Sequence, residues 1–135
     1  GSYPLIAAQN SNIKFYSPVG ASVGNINMIN YYVTDTTLYK DILVPTGSPP
    51  VYVLQSHTAI LKEIENNTAP LFYYYDGNYD GISEVPPLSQ PINITQVRFV
   101  RINIIMKNQI TNQDTSTFSL DYGATIRALK DNLGN

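Results

Sequence analysis

Apolar and polar residues alternate along much of the chain, a pattern typical of β-strands that bury one face. The longest alternation covers residues 118–128, where Phe, Leu, Tyr, Ala, Ile and Ala occupy every second position. Strict alternation over this length predicts a half-buried antiparallel strand near the C-terminal end of the sequence.

A second alternating region predicts a β-hairpin. Its first arm covers residues 28–34, and its second arm covers residues 38–43. Between them, Asp35 and Thr36 are suited to a tight turn, because short polar side chains can bond their own backbone. The two faces of the first arm carry Ile29, Tyr31 and Val33 on one side and Asn30, Tyr32 and Thr34 on the other.

Shorter runs rich in β-branched and aromatic residues predict further strands. These runs are residues 13–16, 51–56, 71–75 and 97–107. In the last run, one face carries Val100, Ile102, Ile104 and Met106. Val97 and Phe99 have the opposite parity, so either both faces of this strand are covered or a β-bulge shifts its register near Phe99.

Residues 58–67 have a different spacing. Ala59, Ile60, Leu61 and Ile64 fit one or two turns of an amphipathic helix, and Thr58 is a suitable N-cap. Ten residues are few for a helix. We therefore expect either one short helix or an irregular bridge in this segment.

These patterns predict a mainly β protein, with antiparallel sheets and at most one short helix. The chain has 135 residues, which supports a single domain. Gly1 and Ser2 are interpreted as a cloning scar, and residues 3–135 as one globular domain.

Composition excludes several classes of function. The chain has no Cys and one His, which excludes thiol catalysis, disulfide scaffolds and Cys/His zinc sites. Lysine and arginine total 8 against 10 acidic residues and form no basic run, so no nucleic-acid partner is predicted. His57 stands at a predicted strand end without a nucleophile motif and is interpreted as an exposed or capping residue. The chain is not expected to be an enzyme.

The most specific local motif is an acidic turn that begins at Asp76. Asp76, Asn78 and Asp80 hold the first oxygen positions of a calcium-binding loop, with Gly81 at its sharp reversal. Position 12 is a proline, which excludes an EF-hand, but Glu84 could close a shorter loop. These four oxygen-bearing residues, Asp76, Asn78, Asp80 and Glu84, are therefore candidate calcium ligands. The alternative is a plain β-turn, for which the same residue types are favoured.

A dense group of tyrosines flanks this turn. Tyr73 and Tyr75 share one face of the predicted strand, and Tyr79 lies within the turn. The three rings are candidates for a sugar-stacking or protein-docking platform. The alternative is packing with wetted hydroxyl groups.

The order of these segments resembles the soluble domain of type IV pilin-like proteins, most closely the J-type minor pseudopilins and related minor pilins. The resemblance extends from about Asn12 to Leu129. It is carried by Asn-Ile-Lys-Phe-Tyr at 12–16, the hairpin at 29–43, Ala-Ile-Leu at 59–61, Ala-Pro-Leu-Phe-Tyr-Tyr-Tyr-Asp at 69–76, Ile-Thr-Gln-Val-Arg-Phe-Val-Arg-Ile at 94–102 and the final strand at 117–129.

The resemblance implies a pilin-like α+β fold and a structural subunit of a type II secretion or type IV pilus-like filament in the bacterial cell envelope. Its partners would be other pilin-like subunits. An apolar N-terminal helix, absent from this chain, would anchor it in the inner membrane with the head in the periplasm or outside the cell. No catalytic residue is implied, and some pseudopilins hold calcium in acidic loops. The alternative is a stand-alone extracellular β module that binds glycan or calcium.

Overall fold

The computed structural model describes residues 5–18, 25–80 and 85–107, together with the backbone of the strand Thr117–Thr125. The described part consists of β-strands and one 3-10 turn at Ile94–Gln96. The strands are β1 Leu5–Ala8, β2 Asn12–Ser17, β3 Asn27–Thr34, β4 Thr37–Thr46, β5 Val51–Leu61, β6 Phe72–Tyr75, β7 Phe99–Lys107 and β8 Thr117–Thr125.

The strands form two antiparallel sheets. The larger sheet has the order β1-β2-β3-β4-β5, and the smaller has the order β6-β7-β8. Within each sheet, strands that follow one another in sequence are also neighbours in space, which is the simplest antiparallel connectivity. The predicted mainly β class with antiparallel sheets is confirmed.

The hairpin predicted around Asp35 and Thr36 is present. β3 and β4 pair from Thr34 opposite Thr37 to Met28 opposite Leu43. Asp35 takes a φ of 56°, which an aspartate tolerates better than most residues. Ile29 and Tyr31 are buried, so their face of β3 is the one that packs against the core.

Both sheets contribute to one hydrophobic core. The larger sheet supplies inward residues from β2 and β3, and the smaller sheet supplies them from β6 and β7. The most completely buried of these are Ile13, Phe15, Ile29, Leu71, Tyr74 and Val100. Alternate residues of β2 and β3 face this core, so the remaining residues of these strands form the outer face of the larger sheet.

The expectation of a short helix at 58–67 is wrong. β5 continues to Leu61, and Ile60 is 44% exposed instead of packing as a helical core residue. Ile60 has no partner opposite it, because Leu61 pairs with Leu38 and Ala59 with Tyr39. After the strand, Glu63 takes a φ of 63° and Ile64 forms an isolated bridge with Met106. The alternative of an irregular bridge fits residues 62–67.

The long strand predicted at 97–107 begins later than expected. Val97 follows the 3-10 turn and is 5% exposed, while β7 starts at Phe99. β7 pairs with β6 and β8 without a register shift. Val97 therefore reaches the core from the turn. Phe99 lies on the face of β7 opposite the buried Val100, where it pairs with the buried Tyr75 and contacts the Tyr79 ring, so both faces are covered there and no bulge is present.

The C-terminal alternating run forms β8 as far as Thr125, and residues 126–135 lie outside the described part. Within the described residues, no helix has the length and apolar character to cross a membrane.

Candidate functional site

The acidic turn is held by the first of its carboxylates. Oδ1 of Asp76 accepts a hydrogen bond from the backbone N–H of Asn78 at 2.9 Å, and the backbone oxygen of Asp76 accepts one from Tyr79 N–H at 3.3 Å. Asp and Asn side chains commonly form this type of turn. The Asp76 side chain therefore has a structural role whether or not it binds a metal.

The remaining candidate calcium ligands are only partly defined. Asn78 and Asp80 are exposed, whereas Gly81 and Glu84 lie outside the described residues. In the described part of the chain, no three His, Asp or Glu residues are placed to share a metal ion. Since Glu84 was expected to complete the loop, the calcium site stays a prediction.

Two of the three candidate tyrosines near this turn, Tyr75 and Tyr79, stack on each other. The rings of Tyr75 and Tyr79 are nearly parallel with centroids 4.2 Å apart, and Tyr79 also makes an edge contact with Phe99 at 5.4 Å. Tyr75 is 5% exposed, and Tyr73 and Tyr79 are half-buried. One face of Tyr75 is therefore already occupied by Tyr79, and the solvent-facing rings of the group are Tyr73 and Tyr79.

Tyr74, between the two candidate tyrosines, joins the sheets. It is 1% exposed, and its hydroxyl donates to the backbone oxygen of Gln9 at 2.7 Å and lies 3.3 Å from that of Asn12. Burial raises the pKa of the Tyr74 phenol well above its usual range. This residue supports the fold and does not contribute to a surface site.

A cluster that sequence reasoning missed lies on the outer face of the larger sheet. It consists of Tyr32 on β3, Tyr39 and Asp41 on β4, and His57 on β5, and we call it the His57 cluster. The register places Tyr32 opposite Tyr39 and Asp41 opposite His57. His57 was expected at a strand end, but it lies in the middle of β5.

Asp41 is the acceptor at the centre of the His57 cluster. Its Oδ1 lies 2.6 Å from His57 Nδ1, and its Oδ2 accepts the Tyr32 hydroxyl at 3.0 Å. The Tyr39 ring stacks on the His57 ring with centroids 4.6 Å apart. Burial first, and then the hydrogen bond to Asp41, raise the pKa of Tyr32 above its usual value.

The His57 cluster presents aromatic rings, an imidazole and a carboxylate on the outer face of the sheet, groups that can stack on a ligand and form hydrogen bonds with it. The His57 side chain is 49% exposed, and that of Asp41 is 16% exposed. Among the described residues, no hydroxyl group hydrogen-bonds to Nε2 of His57, so a Ser–His–Asp arrangement is not formed there. Sequence alone could find this cluster only through the β4–β5 register.

The opposite face of β4 carries a buried cation. Lys40 is 8% exposed, and its Nζ lies 5.7 Å from the centre of the Tyr31 ring. Burial lowers the pKa of Lys40. β4 therefore places Lys40 towards the core and Asp41 towards the outer face.

A polar cleft of about 430 Å³ opens beside the β3–β4 turn. Asp35, Glu65 and Asn66 line it, together with the buried side chains of Ile64 and Leu71. The Asn66 amide is fixed, since its Nδ2 donates to the backbone oxygens of Asn103 and Pro70, while its Oδ1 accepts from Ile105 N–H. The cleft therefore lies between the hairpin turn and the smaller sheet, and the hydrogen bonds of Asn66 fix one of its walls to that sheet.

The most exposed apolar surface lies on β5. Val51, Val53, Leu54 and Ile60 are 64%, 48%, 53% and 44% exposed, and they are the exposed large apolar residues of the described part. All four belong to the strand at the end of the larger sheet. Three of the four lie within residues 51–54, so this end of β5 is an apolar strand edge and a candidate interaction surface.

Comparisons of the chain with protein-family models, curated proteins and solved structures find no match. Function must therefore be inferred from the residues and their geometry.

Proposed function

We propose that the chain is the head domain of a structural subunit, a minor pseudopilin or minor pilin, in a type II secretion or type IV pilus-like filament. It would act by protein–protein assembly and not by catalysis. An N-terminal apolar helix would anchor it in the inner membrane of the bacterial cell envelope, with this domain in the periplasm or outside the cell. Other pilin-like subunits would be its partners.

The observation that carries the proposal is the apolar edge of the larger sheet. A solvated β domain normally blunts its edge strands with charged residues, because an open strand can pair with another chain. β5 has 11 residues and carries no Lys, Arg, Asp or Glu. A surface of this character is better suited to a protein neighbour than to bulk water.

The order of the strand motifs adds support. The segments that carry the pilin-like resemblance include the β3–β4 hairpin and the sequences that become β2, β6 and β7. Weak net charge, −2 for the whole chain, also favours close packing beside similar domains, because it limits repulsion between them.

The direct test is the coding sequence that precedes Tyr3. We expect it to encode an apolar segment of about 20 residues, the length of a membrane-spanning helix. Expressed from the full gene, the protein should sediment with inner membranes, whereas the polypeptide that begins at Tyr3 should not. An upstream sequence without such a segment would refute the proposed function.

A second candidate, a stand-alone glycan-binding module, is favoured by the rings on the outer face of the larger sheet. Tyr39 stacks on His57, and Tyr16 packs against Tyr52 with centroids 5.8 Å apart. Aromatic rings beside a carboxylate such as Asp41 can bind sugars by stacking and hydrogen bonding. Calorimetric or array screening with glycans tests this candidate, and binding that is lost in Tyr39→Ala would support it.

A further inference from the structure

The edge strand β5 has the geometry of a self-pairing surface. Only β4 pairs with it among the described strands, and its other edge lies at the end of the larger sheet. β5 is also much longer than β1 and β6, the four-residue strands at two other sheet edges. The backbone groups on its outer edge can therefore accept an added strand.

Two irregularities limit where a strand can add. Ser56 pairs with Ile42 and Leu54 with Leu43, which leaves Gln55 without a partner on β4. Ile60 is left out in the same way. Bulges interrupt a ladder and twist an edge, so the regular part of β5 with exposed apolar residues is Val51–Leu54.

The side chains of this regular part alternate between two faces. Tyr52 lies on the outer face, because its ring contacts Tyr16, which alternates with the buried Phe15. Leu54 shares this face, since it lies two residues further along the strand. Val53 lies on the opposite face, and it is paired with Val44.

We propose that β5 pairs antiparallel with β5 of a second copy of this chain, about a two-fold axis at Val53. This register sets Val53 opposite Val53 of the second copy and Tyr52 opposite Leu54 of the second copy. Both contacts join side chains of the same face, because the paired positions differ by an even number of residues. The Tyr52 ring packs inward against Tyr16, and its hydroxyl donates to the backbone oxygen of Ile26, so the apolar contact at the axis rests mainly on Val53.

The charge and the symmetry of this edge favour a second copy of the chain as the partner that pairs with β5. No Lys, Arg, Asp or Glu occurs between Asp41 and Lys62, so two copies of this edge do not repel each other. The edge also offers no charge that would select a basic or acidic partner. A two-fold contact uses one surface twice. In this register Val53 meets Val53 of the second copy and Tyr52 meets Leu54, whereas Val51 lies opposite Gln55.

The contact is small, so the expected dimer is weak. A two-fold ladder centred on Val53 and confined to residues 51–54 joins only residues 52–54 of each copy, so the contact lies below the standard interface of about 1,600 Å². Buried area does not fix affinity, so we expect a dimer that dissociates on dilution within the concentration range of the test below. The proposal concerns the isolated domain and holds whether or not the chain is a filament subunit.

Sedimentation equilibrium of the chain between about 10 μM and 1 mM tests the proposal. Val53→Lys should weaken association roughly tenfold or more, because it sets two like charges opposite each other at the axis. The matched control is Ile60→Lys, which adds the same charge at an exposed apolar position of β5 outside the paired segment, where no β4 residue lies opposite. Far-UV circular dichroism should show both variants folded.

A mixing experiment identifies the register. Val53→Lys and Val53→Glu should each remain monomeric alone and associate when mixed, because opposite charges then face each other. A wild-type chain that stays monomeric at 1 mM would overturn the proposal. So would a dimer that Ile60→Lys weakens as much as Val53→Lys, or β5 amides protected from exchange only when another filament subunit is added.

Discussion

The hydroxyl of Tyr74 donates a 2.7 Å hydrogen bond to the backbone oxygen of Gln9, and this bond joins the two sheets at the turn between β1 and β2. Tyr74 lies on β6, and its ring is buried in the common core. The backbone N–H of Leu71, just before β6, donates to the backbone oxygen of Asn10 at 2.8 Å. The turn and β6 are therefore fixed to each other by side-chain and backbone bonds.

Tyr74→Phe should lower the free energy of unfolding by about 1–2 kcal/mol, because it removes a buried hydrogen bond without creating a large cavity. Urea denaturation followed by circular dichroism measures the change. Tyr73→Phe is the matched control, since it deletes the same hydroxyl from a half-buried neighbour and should have almost no effect. Equal losses in the two variants would contradict the assigned role of Tyr74.

The same tyrosine predicts a dependence of stability on alkaline pH. Burial raises the pKa of Tyr74 above its unfolded value of about 10. Its contribution is therefore fully present below pH 10 and is lost as the pH rises further, by about 1.4 kcal/mol per pH unit. Burial of Lys40 lowers the pKa of that group and acts in the opposite direction. Both Tyr74→Phe and the wild type retain Lys40, so their difference isolates Tyr74 and should shrink above pH 10.

The hydrogen bonds of the Asn66 side chain predict that a nearly isosteric substitution at this position lowers stability strongly. In Asn66→Asp, a carboxylate oxygen would replace the Nδ2 group that donates to the backbone oxygens of Asn103 and Pro70. Lost donors and repulsion between oxygens should cost about 2–3 kcal/mol at neutral pH. The control is Asn67→Asp at the exposed neighbouring position, which should change stability by less than about 0.5 kcal/mol. Thermal melting of both variants gives the comparison.

The backbone conformation of Asp35 predicts how substitutions in the β3–β4 turn change stability. Its φ of 56° is strained for β-branched residues and free of strain for glycine. Asp35→Val should destabilise the protein by about 1–2 kcal/mol, whereas Asp35→Gly should stay within about 0.5 kcal/mol of the wild type. Asp35 is exposed, so packing does not confuse the result. Thr36→Val, with the same introduced side chain next to it, should be nearly neutral, and a loss as large as that of Asp35→Val would show that φ is not the cause.

The alternation of apolar and polar residues predicts a strand correctly where one face of the strand is buried and the adjoining turn is short. The β3–β4 hairpin follows from alternation and from two turn-forming residues, and its core face is the one that carries Ile29 and Tyr31. β1 was missed, because Leu-Ile-Ala-Ala has no polar alternation and its pairing with β2 is irregular after Leu5. Ala59, Ile60 and Leu61 suggested a helix because an unpaired residue in β5 breaks the two-residue period.

The candidate sites are harder to predict from the sequence than the strands are. Asp41 and His57 are 16 positions apart and meet only through the register of β4 with β5, which a bulge shifts at Gln55. The density of aromatic residues identifies the tyrosines at 73, 75 and 79 as a group, but the stacking of Tyr75 on Tyr79 depends on how the turn folds back over β6. Periodicity identifies which face a residue occupies, whereas a site also requires the pairing between strands.

The Asp76 carboxylate has one observed role and one predicted role: it accepts a hydrogen bond within the turn, and it is a candidate calcium ligand. Two substitutions separate these roles. Asp76→Ala should lower stability by about 0.5–1 kcal/mol in calcium-free buffer, because Asn78 N–H loses its acceptor. Asp76→Asn keeps an acceptor oxygen and should melt close to the wild type, while losing the charge that a calcium ligand needs.

Calcium titration of the wild type and of Asp76→Asn then tests the metal. If Asp76, Asn78, Asp80 and Glu84 form a site of millimolar affinity, 10 mM calcium should stabilise the wild type by about 1.4 kcal/mol and leave Asp76→Asn unchanged. Magnesium at the same concentration is the control for ionic strength, because it fits flexible oxygen loops poorly. A wild-type melting temperature that calcium does not raise above the magnesium value would leave Asp76 with the turn alone, since the Asn78 N–H bond needs no metal.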